Sequence, residues 1–461
     1  MSVFAQQGRR DGLRTDLYQL TMAAAYWSRG MDHVASFELF NRRLLPDRGY
    51  HLACGLELAL QYLEGLRFTE PDIAALRRHP SFARVPAGFF EALADFEFRG
   101  EVWAMPEGTP YFPNEPVLRI TAPVIEAQLV ETYLLSVINY QSLIATKAAR
   151  VVEAAEGRGV VDFGSRRAHG PEAAELAARA AYVGGCSGSS NVEAGSALGI
   201  PVLGTYAHSW IMAFEDEDEA FRAYQEVFPE ATTHLVDTYD SEAAVRRLVA
   251  SGAPIQAVRL DSGELVSLSK SVRSILDEGG FKEAKIVVSS DLDEYAIAEM
   301  LAAGAPVDLF GVGTRLVTSY DCPALGGVYK LVEQESEEGA PLYRMKRSAS
   351  KRSLPGAKQV WRLSEAGRAQ EDIIGLAAEA GPPQGEPLLE RVMANGKRLR
   401  PAPSLETIRA RARVRIAELA PETRRITEPE PLPTKLSKSL QELTEAVERR
   451  SLRQQATGSQ A

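Results

Sequence analysis

Between Val160 and Thr314, short apolar, β-branched runs alternate with longer helical patterns. That alternation is the signature of βα units around a parallel sheet, and it constrains the chain more than any other feature. The runs are VVDFG, IPVLGT, THLVDT, AVRLDSG, KIVVSSD and VDLFGVGT, with a weaker candidate near YVGGCSGSSN. Between them lie GPEAAELAARAAYVGG, DEDEAFRAYQEVFP, SEAAVRRLVASG, GELVSLSKSVRSILDEGG and DEYAIAEMLAAG, several closed by glycine after the last turn. Six or seven such units fit a barrel better than a small open sheet.

With 461 residues and 45% hydrophobic content, the chain can bury a large core, and its length suggests two or three domains. Residues 1–125 read as a separate α+β domain: helical TDLYQLTMAAAYWSRG, strand-like VASFELFNRR, then strand-like FRGEVWAMPEGTPYFPNEPVLRITAP. The barrel is expected over 126–330. After it come the acidic loop EQESEEGAP and a strand pair around YRMKRSASKRSLPGAKQVWRL, so that strands from 331–400 are expected to return to the first domain. Residues 401–461 read as charged amphipathic helices and a polar tail, SLRQQATGSQA.

The formal charge of −10 argues against a nucleic-acid partner, because phosphate-backbone affinity needs clustered Lys and Arg. Any anion must therefore be captured locally. Three scattered cysteines, Cys54, Cys186 and Cys322, support neither a disulfide framework nor a zinc cluster. The most apolar helix-like stretch, 124–146, is interrupted by Glu126, Gln128, Glu131 and Asn139, and the first residues carry no apolar leader. The expectation is a cytoplasmic protein with no membrane partner.

In βα barrels the site gathers at the C-terminal ends of the strands. That rule selects FGSRR, GTYAHS, RLDSGE, SSDLDE and GVGTR. In the last, Gly311 and Gly313 permit close backbone approach, and successive N–H groups with the Thr314 hydroxyl can form an anion-holding concavity; an ordinary βα turn has the same look. Arg259 and Asp261 project to one side of a strand end, with Ser262 beside them, a set suited to a substrate bearing both an anion and hydroxyls. The alternative is an ion pair capping the next helix, with Asp261 or Ser262 as N-cap. Of Arg166 and Arg167, at most one can share Phe163's side of a strand continued past Gly164.

His208 sits in GTYAHSW, in a chain with only six histidines. No second His or Cys lies at ligand spacing, so a metal centre built on it is disfavoured. GCSGSS does not match a nucleophile elbow, which leaves a satisfied structural histidine, a base, or a phosphoryl acceptor facing an anion-binding rim.

Taken together, the segments TDLYQLTMAAAYW, FELFNRRLLPDRGY, VINYQSLIATKAARV, VVDFGSRRAHGPEAA, GTYAHSW, VRLDSGEL, VSSDLDEY, DLFGVGTRLVTS, GGVYKLVE, LPGAKQVWR and PLLERVMANGKR closely resemble the nicotinate phosphoribosyltransferases, in the right order from Thr15 to Arg398. The resemblance implies an irregular α/β (TIM-like) barrel of the type II phosphoribosyltransferases with an N-terminal α+β domain, working as a homodimer with shared active sites. It implies that nicotinate reacts with 5-phosphoribosyl 1-pyrophosphate (PRPP) in NAD salvage, with Mg2+ on the pyrophosphate and ATP as co-substrate.

By the same resemblance, Phe163 stacks on the pyridine ring and Tyr18 from the partner subunit covers its other face. Arg166, and less directly Arg167, meet the substrate carboxylate or pyrophosphate, and Arg259 contacts substrate anions. Asp261 holds ribose hydroxyls or magnesium; Gly311, Gly313 and Thr314 hold the 5-phosphate. Asp291 and Asp293 belong to the ribose or metal shell, although Asp293 also suits a helix N-cap. His208 resembles the histidine that ATP phosphorylates. The basic loop KRSASKRSLPG is a place for nucleotide phosphates or a solvated hairpin.

Nicotinamide phosphoribosyltransferase shares the fold and the histidine but places an Asp where this chain has GSSN. Neutral Ser189, Ser190 and Asn191 favour an acid substrate, because a carboxylate there would repel a second one. Quinolinate phosphoribosyltransferase needs no ATP, so His208 speaks against it. A non-catalytic PRPP or nucleotide sensor is the remaining alternative, and it would be expected to lose part of the set Tyr18, Phe163, Arg166, His208, Arg259 and Asp261.

Overall fold

A computed structural model of the protein describes residues 11–458 except 231, 347, 349 and 350, and of 451–458 the backbone only. The last three residues of the polar tail, 459–461, and part of the basic loop KRSASKRSLPG, at Arg347, Ala349 and Ser350, thus lie outside the described residues, while the backbone of 451–458 continues the helix Lys438–Gly458. The chain divides into two compact units, one over 144–323 and the other combining residues 2–143 with 324–461. This differs from the expected 126–330 barrel with a separate 401–461 segment. Thr434–Leu436 pairs in parallel with Arg368–Leu376, which ties the last residues into the second unit.

The first unit holds β1 (Gly159–Asp162), β2 (Gly188–Ser189), β3 (Thr233–Leu235), β4 (Ala257–Leu260), β5 (Lys285–Ser290) and β6 (Leu309–Val312), all parallel, in the order β2-β1-β6-β5-β4-β3. The last strand lies against the first, which leaves β2 and β3, neighbours in sequence, as the two ends of a barrel closed everywhere else. Continuous burial, as in β5 where Ile286, Val287, Val288 and Ser289 are all buried, marks a sheet covered on both faces. The helices foreseen between the strands are present at Pro171–Val183, Glu217–Val227, Ser241–Ser251, Leu265–Glu278 and Glu294–Ala302. Ser241–Ser251 shows why: the Asp240 carboxylate accepts the Ala243 N–H at 2.9 Å, and Gly252 ends the helix at φ +69°.

The ring has one opening. IPVLGT, expected as a strand, makes only an isolated bridge from Val202 to Ser189, and β3 has no strand on its outer side among the described residues. Leu235 N–H donates instead to the Tyr206 hydroxyl at 3.2 Å. Proline at 201 and glycines at 199 and 204 leave this stretch poorly suited to a ladder. The fold is an irregular α/β barrel, as expected. Within it, Lys147 and Arg150 bury their charges on the two oxygens of Glu294, at 2.6 and 2.9 Å.

The second unit carries a seven-stranded antiparallel sheet in the order Pro341–Tyr343, Gly327–Glu335, Val34–Asn41, Pro116–Pro123, Glu101–Ala104, Glu390–Ala394, Lys397–Arg398. The expected strand pair after 340 is not formed. Pro341–Tyr343 pairs with Gly327–Glu335, while Lys358–Glu365 turns through Ala366 and Gly367, both at positive φ, into Arg368–Leu376. Two left-handed residues in a two-residue connection suit the twist of a hairpin. Among the described residues no helix is long and apolar enough to cross a membrane, and none of the three cysteines is in a disulfide.

Candidate active site

Arg259, on β4, organises the C-terminal rim of the barrel. Its Nε donates to Ser289 Oγ at 2.7 Å, Nη1 to Thr205 Oγ1 at 2.6 Å and Nη2 to Asp261 Oδ1 at 2.8 Å. Its guanidinium also lies 5.4 Å from the centre of the Phe163 ring. One cation thus joins the ends of β1, β4 and β5 to the segment that carries His208. The Ser289 hydroxyl in turn makes a short hydrogen bond to Asp261 Oδ1. Burial pushes the Asp261 carboxyl up, but the Ser289 donor and the Arg259 charge outweigh it and leave the group below the usual carboxylate range.

The capping alternative for this pair fails. Helix Leu265–Glu278 has no side-chain cap, Asp261 is spent on Arg259 and Ser289, and Ser262 donates to Asp237 Oδ2 at 2.7 Å. The same Asp237 oxygen accepts the Asp261 N–H at 2.9 Å, while Asp237 Oδ1 is buried without a hydrogen-bond partner. His208 opens the short helix His208–Met212, with Nδ1 3.2 Å from Thr238 Oγ1 and Nε2 3.8 Å from Asp261 Oδ2. Its side chain is 39% exposed, so it is not a satisfied core histidine.

Phe163 lies against Gly311 so closely that a Cβ there would stand 2.4 Å from the ring. The glycine is required by this approach. Next to Phe163 in the chain, Asp162 is fully buried, accepting Gly164 N–H at 2.8 Å and the Ser189 hydroxyl at 2.7 Å. Burial raises its carboxyl above the ordinary range against the pull of those two donors. In GSSN, then, Ser189 faces Asp162 and Asn191 caps a helix by accepting Ala194 N–H at 2.9 Å. Ser190 is left half-buried beside them.

The remaining candidates are less closely joined. The strand stops at Asp162 and Ser165–Arg167 forms a 3-10 turn, so strand alternation does not decide between Arg166 and Arg167, and both are exposed. Asp291 is exposed, whereas Asp293 is the N-cap of Glu294–Ala302 and pairs with Arg315 at 2.5 Å. Gly313 is the N-cap of the single turn Thr314–Val317, which Thr314 opens. Tyr18 belongs to the second unit, on helix Leu17–Ser28, and is 49% exposed.

Five polar residues at this rim were not singled out by sequence: Asp162, Thr205, Asp237, Thr238 and Ser289. Asp237 and Thr238 end the run THLVDT and obey the same strand-end rule as the others. Among the described residues no group of three or more His, Cys, Asp or Glu is placed to hold a metal ion. The donor set, Asp261 with the unpartnered Asp237 oxygen, fits a Mg2+ that arrives on substrate phosphates, since that ion takes one or two carboxylates and keeps several waters.

Comparison with known proteins agrees in order and extent. Sequence models of the nicotinate phosphoribosyltransferase N-terminal domain, family and C-terminal domain match residues 13–139, 159–332 and 382–444. The chain is 47% identical over 419 residues to nicotinate phosphoribosyltransferase pncB2 of Mycobacterium tuberculosis, covering 89% of this chain and 88% of that protein. To the nicotinate phosphoribosyltransferase of Bacillus subtilis it is 45% identical over 361 residues, 76% of this chain and 73% of the relative. The crystal structure of human nicotinic acid phosphoribosyltransferase superposes with a TM-score of 0.82 at 31% identity, over 94% of this chain and 99% of that one. The chain belongs to the nicotinate phosphoribosyltransferase family.

Proposed function

We propose that this chain makes nicotinate mononucleotide and pyrophosphate from nicotinate and PRPP in NAD salvage, coupled to ATP through phosphorylation of His208. The observation that carries the reading is the continuous chain of contacts Gly311, Phe163, Arg259, Asp261, His208 and Thr238 around one barrel rim. The pyridine nitrogen attacks C1 of PRPP, the C1–O bond breaks, and pyrophosphate leaves with the electron pair. Positive charge grows on C1 as it does so, and the work of the site is positioning and electrostatics. Phe163 supports the ring, with Tyr18 of the partner subunit on the other face in a homodimer. Arg166 and Arg167, exposed beside Phe163, are available to substrate anions. Asp261 would hold a Mg2+ that arrives on the pyrophosphate, and the ion would supply charge neutralisation for the leaving group.

The Asp261 carboxylate near Nε2 favours a proton on that nitrogen and leaves the Nδ1 lone pair to attack the γ-phosphorus of ATP, with ADP as the leaving group. The second unit carries a concentration of cations of its own. Lys330 is held below the ordinary lysine range by burial and by Arg42, Lys346 and Lys351, against the opposing pull of Glu131. Lys346 and Lys351 belong to the basic loop KRSASKRSLPG.

The test is pyridine nucleotide formation from PRPP and Mg2+ with nicotinate, nicotinamide and quinolinate in parallel, with and without ATP. Product from nicotinate alone, raised by ATP, is the expected result. Product from nicotinamide instead would refute the reading of GSSN, and PRPP binding without turnover would establish a sensor. A second expectation concerns Gly311→Ala. The added methyl displaces the Phe163 ring, so KM for nicotinate should rise about tenfold or more, and by more than KM for PRPP, whose 5-phosphate the backbone N–H groups of this segment still serve. Equal rises in both would place the damage in the barrel rather than at the ring.

A further inference from the structure

His208 has few contacts of its own that could fix its position. Its side chain is part-exposed, among the described residues it reaches only Thr238 and Asp261, and its helix, His208–Met212, is five residues long. A single turn of helix is not stable in isolation. The preceding residues 201–204 are exposed, and β3 offers them no ladder.

Two flanking aromatic residues make up for this. Two residues before His208, Tyr206 is buried at 8% exposure and plugs the opening in the barrel. Its hydroxyl accepts Leu235 N–H at 3.2 Å, where a strand carbonyl would otherwise stand, and lies 3.4 Å from His234 Nδ1. Two residues after His208, Trp210 donates its Nε1–H to Ala220 O at 3.1 Å. Both rings then rest on Tyr224, at centroid distances of 4.4 Å for Tyr206 and 5.6 Å for Trp210. Helix Glu217–Val227 thereby backs the histidine on both sides through one residue.

We infer that Tyr206, Trp210 and Tyr224 are positioning residues for His208, holding its imidazole at Thr238 and Asp261 for phosphoryl transfer. The inference rests on His208 being the phosphoryl acceptor. Loosening the clamp slows attack on the γ-phosphorus, because the reacting nitrogen is no longer held at reacting distance. It leaves the PRPP and nicotinate contacts of Arg259, Asp261 and Phe163 in place.

The experiment is single-turnover labelling of the full chain from γ-32P-ATP, quenched in alkali to preserve phosphohistidine, in wild type, Tyr206→Phe, Trp210→Phe, Tyr224→Phe and Tyr224→Ala. Turnover without ATP and thermal unfolding are read alongside. Tyr206→Phe, which loses only the hydroxyl, and Tyr224→Ala should label about ten- to a hundredfold more slowly, with the ATP-independent rate near wild type. Tyr224→Phe, which keeps the ring, should label normally, and Trp210→Phe should fall between. Labelling at the wild-type rate in Tyr206→Phe and Tyr224→Ala overturns the clamp. So does a parallel fall in ATP-independent turnover, which would make these residues general supports of the barrel. A wild type that takes up no label overturns the phosphohistidine reading itself and this inference with it.

Discussion

Replacing His208 by alanine is expected to abolish the stimulation of nicotinate mononucleotide formation by ATP, while slow ATP-independent synthesis persists. The proposed acceptor nitrogen is lost, but Arg259 keeps its bonds to Ser289, Thr205 and Asp261, none of which passes through the imidazole. The fold is expected to tolerate the change. With 39% of the side chain exposed and a hydrogen bond to Thr238, removal opens no sealed cavity, and the stability change should stay within about 0.5 kcal/mol. If phosphorylation and substrate binding are coupled by a typical ~1 to 3 kcal/mol, the lost stimulation corresponds to ~5- to 150-fold in apparent affinity. Initial rates with and without ATP, at matched thermal stability, decide the matter. Equal stimulation in variant and wild type would remove His208 from the ATP step.

The barrel was legible because a parallel strand and its covering helix each write a period into the sequence, and five helices between the strands appear where the pattern placed them. IPVLGT was misread because an apolar run guarantees neither burial nor ladder formation: Val202 and Leu203 are exposed, and what meets β3 across the opening is a tyrosine hydroxyl from two residues upstream of His208. The hairpin at Ala366 and Gly367 was missed because both residues adopt positive φ while the alanine gives no sign of it. At the site, the strand-end rule found Arg259, Asp261 and His208, since each ends or follows an apolar run. It does not say which way a side chain turns. Ser189 was read as facing a substrate and is 1% exposed with its hydroxyl on Asp162; that partner is 27 residues away in sequence. Asp237 and Thr238 obeyed the rule and were overlooked, whereas Ser289 takes its meaning only from the Arg259 side chain that reaches across from the next strand.

The largest loss is expected from Arg259→Ala. No other residue at this rim bridges so many elements, and its removal acts on three of them at once. Thr205 loses its partner on the His208 segment, the Phe163 ring loses the cation above it, and Asp261 loses both the Nη2 bond and the charge opposite it. We expect kcat/KM for nicotinate and PRPP to fall by about a thousandfold, roughly 4 kcal/mol of transition-state stabilisation. Arg259→Lys should recover little, because an ammonium cannot serve three partners in a planar fork. The acid response carries an independent sign. In the wild type Asp261 titrates below its ordinary 3.8, so the stability it contributes is fully present above that value and is lost as the pH falls through its folded-state pKa. Without Arg259, burial is opposed chiefly by the Ser289 hydroxyl, the carboxyl rises, and that contribution shrinks or reverses. Acid unfolding of the variant should therefore begin at higher pH than that of the wild type, with the difference closing in Arg259→Ala/Asp261→Asn, where no carboxylate remains at this position. Steady-state kinetics and acid titration of the three proteins test both halves. Wild-type kcat/KM in Arg259→Ala would exclude the guanidinium from the reaction. An unchanged acid transition would mean that its charge is not what holds the Asp261 carboxyl down.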